Sequence, residues 1–328
     1  MFRFFYTCGA KIAIALLVGV VPAAQAQTQA FPDKPIRLIV PFGPGGATDI
    51  VGRLVAEKMS ENLGQVVIVE NKSGAGGIIG TTAVMRSPPD GYTLVMTTIG
   101  AGANPALLGD KLPFDPVKDF TPIAMLTNVP TVLVVHPTSP VRSAKELIEL
   151  AKAKPGTLTF ASANFGTVNH LAGEMLKALT GIDIVHVPYR SGSEAVAAVV
   201  SGQVTMLFAT TPSALSFIQE GRLIPVAVSG STPVPQLPDV PLLNETVSGF
   251  NVVDWQGIVG PAGMPRPIVE KLNRSIVMAL HDPALVKRLG DLGVQVATST
   301  PDEHEEHLKA EVAKWKAVAE RTDMSIKQ

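Results

Sequence analysis

Residues Ile36-Arg37-Leu38-Ile39-Val40-Pro41-Phe42-Gly43-Pro44-Gly45-Gly46-Ala47-Thr48-Asp49 run from an apolar stretch into a glycine-rich loop. Behind the loop, Ile50, Leu54, Val55 and Met59 recur at helical spacing. Asp49 falls in the first helical turn, where a carboxylate suits the helix dipole. The pattern then repeats. Val66-Val67-Ile68-Val69-Glu70 reads as a strand and leads into Asn71-Lys72-Ser73-Gly74-Ala75-Gly76-Gly77, with a second helix over 78–85. Two neighbouring parallel strands would bring both loops to one carboxyl edge of a sheet, where open α/β sheets bind ligands. Backbone N–H groups at the helix starts would point into that crevice, which suits a carboxylate or a phosphate.

The β-α alternation continues along the chain. Ser87-Pro88-Pro89-Asp90-Gly91 is a turn, 92–96 a strand, and Thr97 to Gly102 a third loop of small residues. Residues 113–122 are proline-rich and read as irregular. Short strands over 123–126 and 132–135 mark a domain change, after which strands and helices alternate again to 228. Pro233, Pro235, Pro238 and Pro241 make 231–241 a loop. Residues 250–259 read as extended, and helices are predicted over 265–281, 283–289 and 301–321. The fold class is α/β, with two β-α units followed by three helices. If those helices pack back on the first unit, the chain crosses between domains twice, forming a hinge with the glycine loops facing the cleft.

The chain has 328 residues, and its first 26 read as an export signal. Arg3 and Lys11 accompany no acid, 12–21 is an apolar run too short to span a bilayer, and Ala24-Gln25-Ala26 supplies small residues for cleavage after Ala26. Cys8, the single cysteine, lies in this segment, so disulfides, thiol catalysis and cysteine metal sites are not expected in the mature chain. Without the leader, 25 of the 27 basic residues remain against 28 acidic ones, a balance that gives no reason to expect nucleic acid or direct membrane insertion.

Constellations for chemistry are sparse. Gly43-Pro44-Gly45-Gly46-Ala47-Thr48 begins like a dinucleotide fingerprint, with Glu70 where a ribose-binding acid would stand, but Thr48 holds the place of the third glycine. The glycines would otherwise only make tight turns. No nucleophile elbow or phosphate-loop lysine is present. His304 and His307 among Glu303, Glu305 and Glu306 lack the zinc-helix order and read as a solvated face. His136 and His186 read as structural. Asp49 and Arg53 read as a surface ion pair, and His170 and Glu174 as a buried pair bracing a helix rather than a catalytic pair.

Taken together, several motifs in order resemble one family. The loop 39–49, Val69 to Gly77, Pro89 to Leu94, Gly166 to Glu174, Val187-Pro188-Tyr189-Arg190 and Ser201-Gly202-Gln203-Val204 resemble the signatures of the Bug receptors, the TctC-like periplasmic solute-binding proteins of tripartite tricarboxylate transporters. The resemblance implies a two-lobed, type II periplasmic-binding-protein fold of two doubly wound β-α domains with two crossover segments. The first domain would comprise 27–126 and 254–328, and the second 127–253. The implied function is capture of a small organic carboxylate in the interdomain cleft of a monomer, without cofactor or catalysis, and delivery to membrane permease subunits. An exported α/β enzyme and a receptor feeding a signalling system stand as alternatives. Carried over, the ligand contacts are Phe42, Gly43, Gly45, Gly46, Asp49, Gly74, Ala75 and Gly76 from the first lobe, with Ser162, Asn164, Thr167 and Arg190 from the second. Asn164 stands where many relatives have glycine, and Thr205 and Ala209 occupy a segment where many carry an acid. If these line the second-lobe side, no carboxylate faces a ligand ammonium. With Phe165 and Phe208 as an apolar wall, plain carboxylic acids are expected over amino acids.

Overall fold

In the computed structural model, which describes residues 1–2 and 31–322, strand β1 (Ile36–Val40), flanked by a strand on each side, leads through the first glycine loop into α1 (Ala47–Leu63). The proposed leader lies, apart from Met1 and Phe2, outside the described residues. Gly64, in the left-handed region at φ 66°, ends α1 by donating its N–H to the Ser60 carbonyl. The chain continues as β2 (Val67–Asn71), α2 (Ile78–Met85), β3 (Thr93–Thr98), α3 (Ile99–Leu108) and β4 (Phe120–Val129). Strand β5 (Thr131–Val135) opens a second sheet and is followed by α4 (Ala144–Ala153), β6 (Thr159–Ser162), α5 (Val168–Thr180), β7 (Val185–Pro188), α6 (Gly192–Val200), β8 (Met206–Thr210), α7 (Thr211–Gln219) and β9 (Ile224–Val228). The chain then returns to the first sheet as β10 (Asp254–Pro261), followed by α8 (Arg266–Leu280), α9 (Pro283–Asp291), the two-residue β11 (Gln295–Val296) and α10 (Pro301–Thr322).

The first sheet has the order β11-β4-β10-β3-β1-β2, and the second β7-β6-β8-β5-β9. Strand β1 pairs in parallel with both β2 and β3, so the loops after all three strands share one edge. Strand β10 is antiparallel to β3 and β4 and closes the first sheet with a segment that arrives only after the whole second sheet is built. The two sheets with their flanking helices form two lobes, joined at Pro130 and again between β9 and β10.

Three packing results depart from the sequence reading. The third loop of small residues is helix α3, capped by Thr98, whose hydroxyl accepts from the Gly100 N–H at 3.4 Å. Its glycines serve packing: a Cβ on Gly102 would stand 2.8 Å from the Glu311 Cβ on α10. His304 is fully buried rather than solvated, edge-on to Trp255 and against Gly257. The irregular segment before the first crossover already contains the start of β4, and β11 was not foreseen. One apolar core runs from Ile99 and Ala103 through Phe160, Leu171 and Phe208 to Leu308 and Trp315, so α3 and α10 tie the lobes together.

Candidate functional site

The first glycine loop is held by Asp49. One carboxylate oxygen accepts from the Gly45 N–H at 3.0 Å, and the other from Arg53 at 3.0 Å and Asn71 at 2.8 Å. Burial works against this charge, but the Arg53, Gly45 and Asn71 hydrogen bonds outweigh it and hold the carboxyl below its ordinary range. Asn71 also donates to the Phe42 carbonyl at 3.1 Å, so one acid and one amide lock the two loops to each other. The expected surface ion pair with Arg53 is therefore half of a loop brace: Asp49 is 4% exposed.

In the second lobe, Asn164 carries the turn after β6 at φ 97°, a region that glycine adopts freely and asparagine tolerates better than most residues. Its carbonyl accepts from the Ser162 hydroxyl at 3.0 Å and from the Thr167 hydroxyl at 2.7 Å. Ser162 is fully buried and contacts His186 Nε2 at 2.5 Å. His170 lies against His186, ring centroids 4.6 Å apart, with Phe165 edge-on to both. Burial is the main force pushing His170 down to about 3 and His186 down to about 4, so both rings are neutral at neutral pH. His170 does not pair with Glu174, which instead binds Lys177 at 3.0 Å; the expected i, i+4 pair does not form.

The loops of the two lobes touch. The Ser193 hydroxyl donates to the Pro44 carbonyl at 3.1 Å. Gly43 lies so near Ser191 that an added Cβ would stand 2.9 Å from the serine Cβ, and one on Gly76 would lie 2.2 Å from the Phe165 carbonyl oxygen. The cleft is closed, and glycine at these positions is what lets the backbones meet.

Between the lobes are two spaces that share Phe42 and Ala163. The outer one, about 330 Å³, is lined by Ser73, Gly74, Gly76 and Gly77 at the start of α2 and by Asn164 and Arg190. The inner chamber, about 40 Å³, receives the starts of four helices: Gly46, Ala47 and Thr48 of α1, Thr167, Val168 and Asn169 of α5, Gly192 of α6, and Thr210 and Ser213 of α7. Three of those helices, α1, α5 and α7, have no side-chain cap; α1 and α5 thereby keep first-turn N–H groups that no capping side chain claims, whereas at α7 the Thr211 N–H donates to the Pro130 carbonyl at 3.1 Å and Pro212 has none. Thr98, Ala209 and Asp254 complete the wall.

Of the residues singled out in the sequence, Phe42, Gly46, Gly74, Gly76, Asn164, Thr167 and Arg190 line these two spaces. Ala75 faces a neighbouring cavity with Phe165, Ile78 and Lys111. Gly43 and Gly45 lie at the lobe contact against Ser191 and Ser193, while Asp49 and Ser162 sit behind the loops as braces. Thr205 bonds to Thr159 at the far end of the strands, and Phe208 is a core residue stacked on Phe250, so neither lines the cleft. Thr98, Asn169, Ser213 and Asp254 were missed. Thr98 and Asn169 carry the signal of a polar residue at a strand end or helix start; Asp254 carries none, because its strand comes from beyond the second lobe. An acid thus stands in the chamber after all, contributed by the first sheet rather than the second lobe.

Residues 51–324 match the model of the tripartite tricarboxylate transporter family receptor, TctC. The chain belongs to that family. It is similar to the structure of the periplasmic binding protein BugD, with 34% identity, a TM-score of 0.86, and coverage of 90% of this chain and 99% of that one. Rpa4515 of R. palustris with adipate is 31% identical, with a TM-score of 0.86 over 89% of this chain and 98% of that one. MatC from Rhodopseudomonas palustris with bound malate is 34% identical, with a TM-score of 0.84 over 88% and 99%. The fold is accordingly the two-lobed type II periplasmic-binding-protein fold, and the protein is a solute-binding receptor of the TctC family rather than an enzyme. Among the described residues, no helix is long and apolar enough to cross a membrane, and no cluster of three or more His, Cys, Asp or Glu side chains is placed to hold a metal.

Proposed function

We propose that this receptor captures a small organic carboxylate between its lobes and delivers it to the permease subunits of a tripartite tricarboxylate transporter. The observation that carries the reading is the meeting of the uncapped starts of α1, α5 and α7 in one interlobe chamber. Each helix start presents partial positive charge, and α1 and α5 add first-turn N–H donors, without the mobility of a long cationic side chain. Arg190, exposed and without an ion-pair partner among the described residues, adds a full charge at the outer cavity. Bound malate in MatC and adipate in Rpa4515 support a carboxylate here.

The contacts we assign are Phe42, Gly46, Gly74, Gly76, Asn164, Thr167 and Arg190 at the spaces themselves, with Gly43, Gly45, Ala75, Asp49 and Ser162 shaping the loops that make them. We take the lobes, among the described residues, as 31–129 with 254–322 and as 131–253, opening about the two crossovers; the boundary expected at 126/127 moves to Pro130 because Thr127, Asn128 and Val129 pair with β10. Both walls come from one chain, so a monomer suffices. Residues 1–26 would direct export to the periplasm and be removed after Ala26.

Calorimetric titration with succinate, adipate and malate, each beside its neutral diamide, tests the reading. At least one diacid should bind, and the diamides should bind at least tenfold more weakly. Equal binding of acid and diamide, or no binding of any acid, would overturn it.

A further inference from the structure

The chamber that four helix starts make favourable for an anion also contains a carboxyl group. Asp254, the first residue of β10, is 4% exposed and forms part of the chamber wall. Its Oδ2 accepts from the Gln256 amide at 3.2 Å, while Oδ1 has no hydrogen-bond partner among the described residues. The surroundings give it no counter-charge. On its own strand stands neutral Gln256; across the ladder on β4 are Val129, Asn128 and Thr127; from β3, α3 and α1 come Thr98, the Ile99 N–H and Thr48; from α7 comes Ser213. The titratable groups of α10 nearest in space are His304 and His307, edge-on to the Trp255 indole, and Glu311, which accepts from the Trp255 Nε1–H at 3.1 Å. Asp49 is occupied by Arg53 and Asn71.

Two anions in one small chamber without a cation repel strongly at low dielectric. One of them must be neutral, and buried Asp254, already part of the wall and without a counter-charge, holds the proton more readily than a carboxylate met by helix starts. We infer that Asp254 recognises the ligand as a neutral acid, donating a hydrogen bond from its free carboxyl oxygen to the captured carboxylate, so that capture above neutral pH takes up a proton from solvent. The inference rests on the carboxylate reading above and adds to it a specificity residue and a linked proton. Burial, opposed only by the hydrogen bonds of Gln256 and the Ile99 N–H, already pushes the empty chamber's Asp254 up to about 7. An anion beside it raises that value further. Binding therefore favours the protonated state, and affinity is lost as pH rises through and beyond the ligand-free value. The imidazoles of His170 and His186 remain neutral throughout that window.

The test is titration of the protein lacking residues 1–26 with succinate, adipate and glutamate at pH 6, 7 and 8, each in a zwitterionic sulfonate buffer (MES or HEPES) and in an amine buffer (bis-Tris or Tris). The two buffers differ in ionisation enthalpy, so the difference in apparent enthalpy counts protons. For the tighter diacid, uptake should approach one proton per ligand at pH 8, and affinity should fall about tenfold per pH unit once Asp254 is ionised in the empty protein. Asp254→Asn, a neutral group of the same shape with an N–H to donate, should bind with affinity that varies less than twofold over the range and without proton uptake. Diacid binding in the wild-type protein with no proton uptake and no pH dependence would overturn this inference alone, whether or not the variant folds. Preferential binding of glutamate, abolished by Asp254→Asn, would overturn it too, by showing an ionised Asp254 paired with an ammonium. Failure of both diacids at pH 6 would instead remove the carboxylate reading on which it stands.

Discussion

Adding one methyl group at Gly43 tests whether the closed contact between the lobes belongs to the binding cycle. Gly43 does not occupy the left-handed region, so alanine fits its backbone, and the loss of unfolded-state freedom favours the variant by about 0.4–1 kcal/mol. The new Cβ would stand 2.9 Å from the Cβ of Ser191. An ordinary carbon–carbon contact needs about 3.5–4.0 Å, so closure would stop roughly 0.6–1 Å short or force a shift in the α6 cap. Ser191 cannot easily retreat: it is buried, and its hydroxyl accepts from the Glu194 N–H at 3.2 Å. Overpacking of this kind costs about 1–3 kcal/mol, and because the clash exists only in the closed state, the cost falls on binding. Gly43→Ala should therefore bind the tightest diacid about 5- to 150-fold more weakly, while the ligand-free protein melts no lower than wild type. Ser191→Gly removes the opposing Cβ and, glycine being an acceptable cap, costs only a few tenths of a kcal/mol. The double variant should recover most of the affinity, giving a coupling energy of about 1 kcal/mol or more in the cycle. Calorimetry with differential scanning of the ligand-free forms provides the readouts. Wild-type affinity in Gly43→Ala, or no rescue by Ser191→Gly, would refute the argument that this contact forms on capture.

Other perturbations follow from the brace and the core. Asp49→Ala removes the acceptor shared by Gly45, Arg53 and Asn71 and should lower urea stability by about 2–3 kcal/mol, as hydrogen bonds to a charged group are each worth about 1.5–3 kcal/mol and half-exposed Arg53 recovers water; an unchanged midpoint would contradict the brace. Glu311 accepts from the Trp255 and Trp315 indoles at 3.1 and 3.2 Å, so Glu311→Ala strands two buried N–H groups and should cost about 2–5 kcal/mol, followed by the fluorescence of these two tryptophans, the only ones in the chain. Burial holds His304 and His170 down to about 3 and His186 to about 4, whereas the unfolded chain takes up these protons near 6.5. Stability should thus fall as pH drops from about 6.5 toward 4, by up to about 1.4 kcal/mol per pH unit for each histidine. Asp254, raised to about 7, acts in the opposite direction, losing stability as pH rises from about 4 to 7, so the net slope is set by three histidines against one acid. A urea midpoint independent of pH between 7 and 5 would refute the neutral burial of these rings.

The parts of the site built from consecutive residues were readable in advance. Strand, glycine loop and helix follow one another from Ile36 to Leu63, and the parallel pairing of β1 and β2 brings both loops to one edge as the spacing implied. What the chain hid was fixed by tertiary contacts. Gly100 and Gly102 signal a loop by propensity, yet they lie in α3, where the Gly166 carbonyl and Glu311 of α10 approach too closely for larger residues. His304 is surrounded by glutamates in sequence, but it lies in register with Leu308, Glu311 and Trp315 on the buried face of α10, a helical period that charge counting obscured. Phe208 faces the core rather than the ligand because alternate residues of a strand between two helical layers are all buried, so periodicity could not tell which side opened to the cleft. Asp254 lies more than two hundred residues from the α1 start that it faces, and only the return of β10 to the first sheet brings them together.

If helix starts from both lobes hold one carboxylate in the interlobe chamber, a crystal structure of residues 27–328 with the tightest diacid of the titration panel will show it there. One carboxylate oxygen should lie within about 3 Å of backbone N–H groups at the start of α1 and the other at the start of α5 or α7. A diacid held by Arg190 at the mouth, with the chamber occupied only by water, would contradict it.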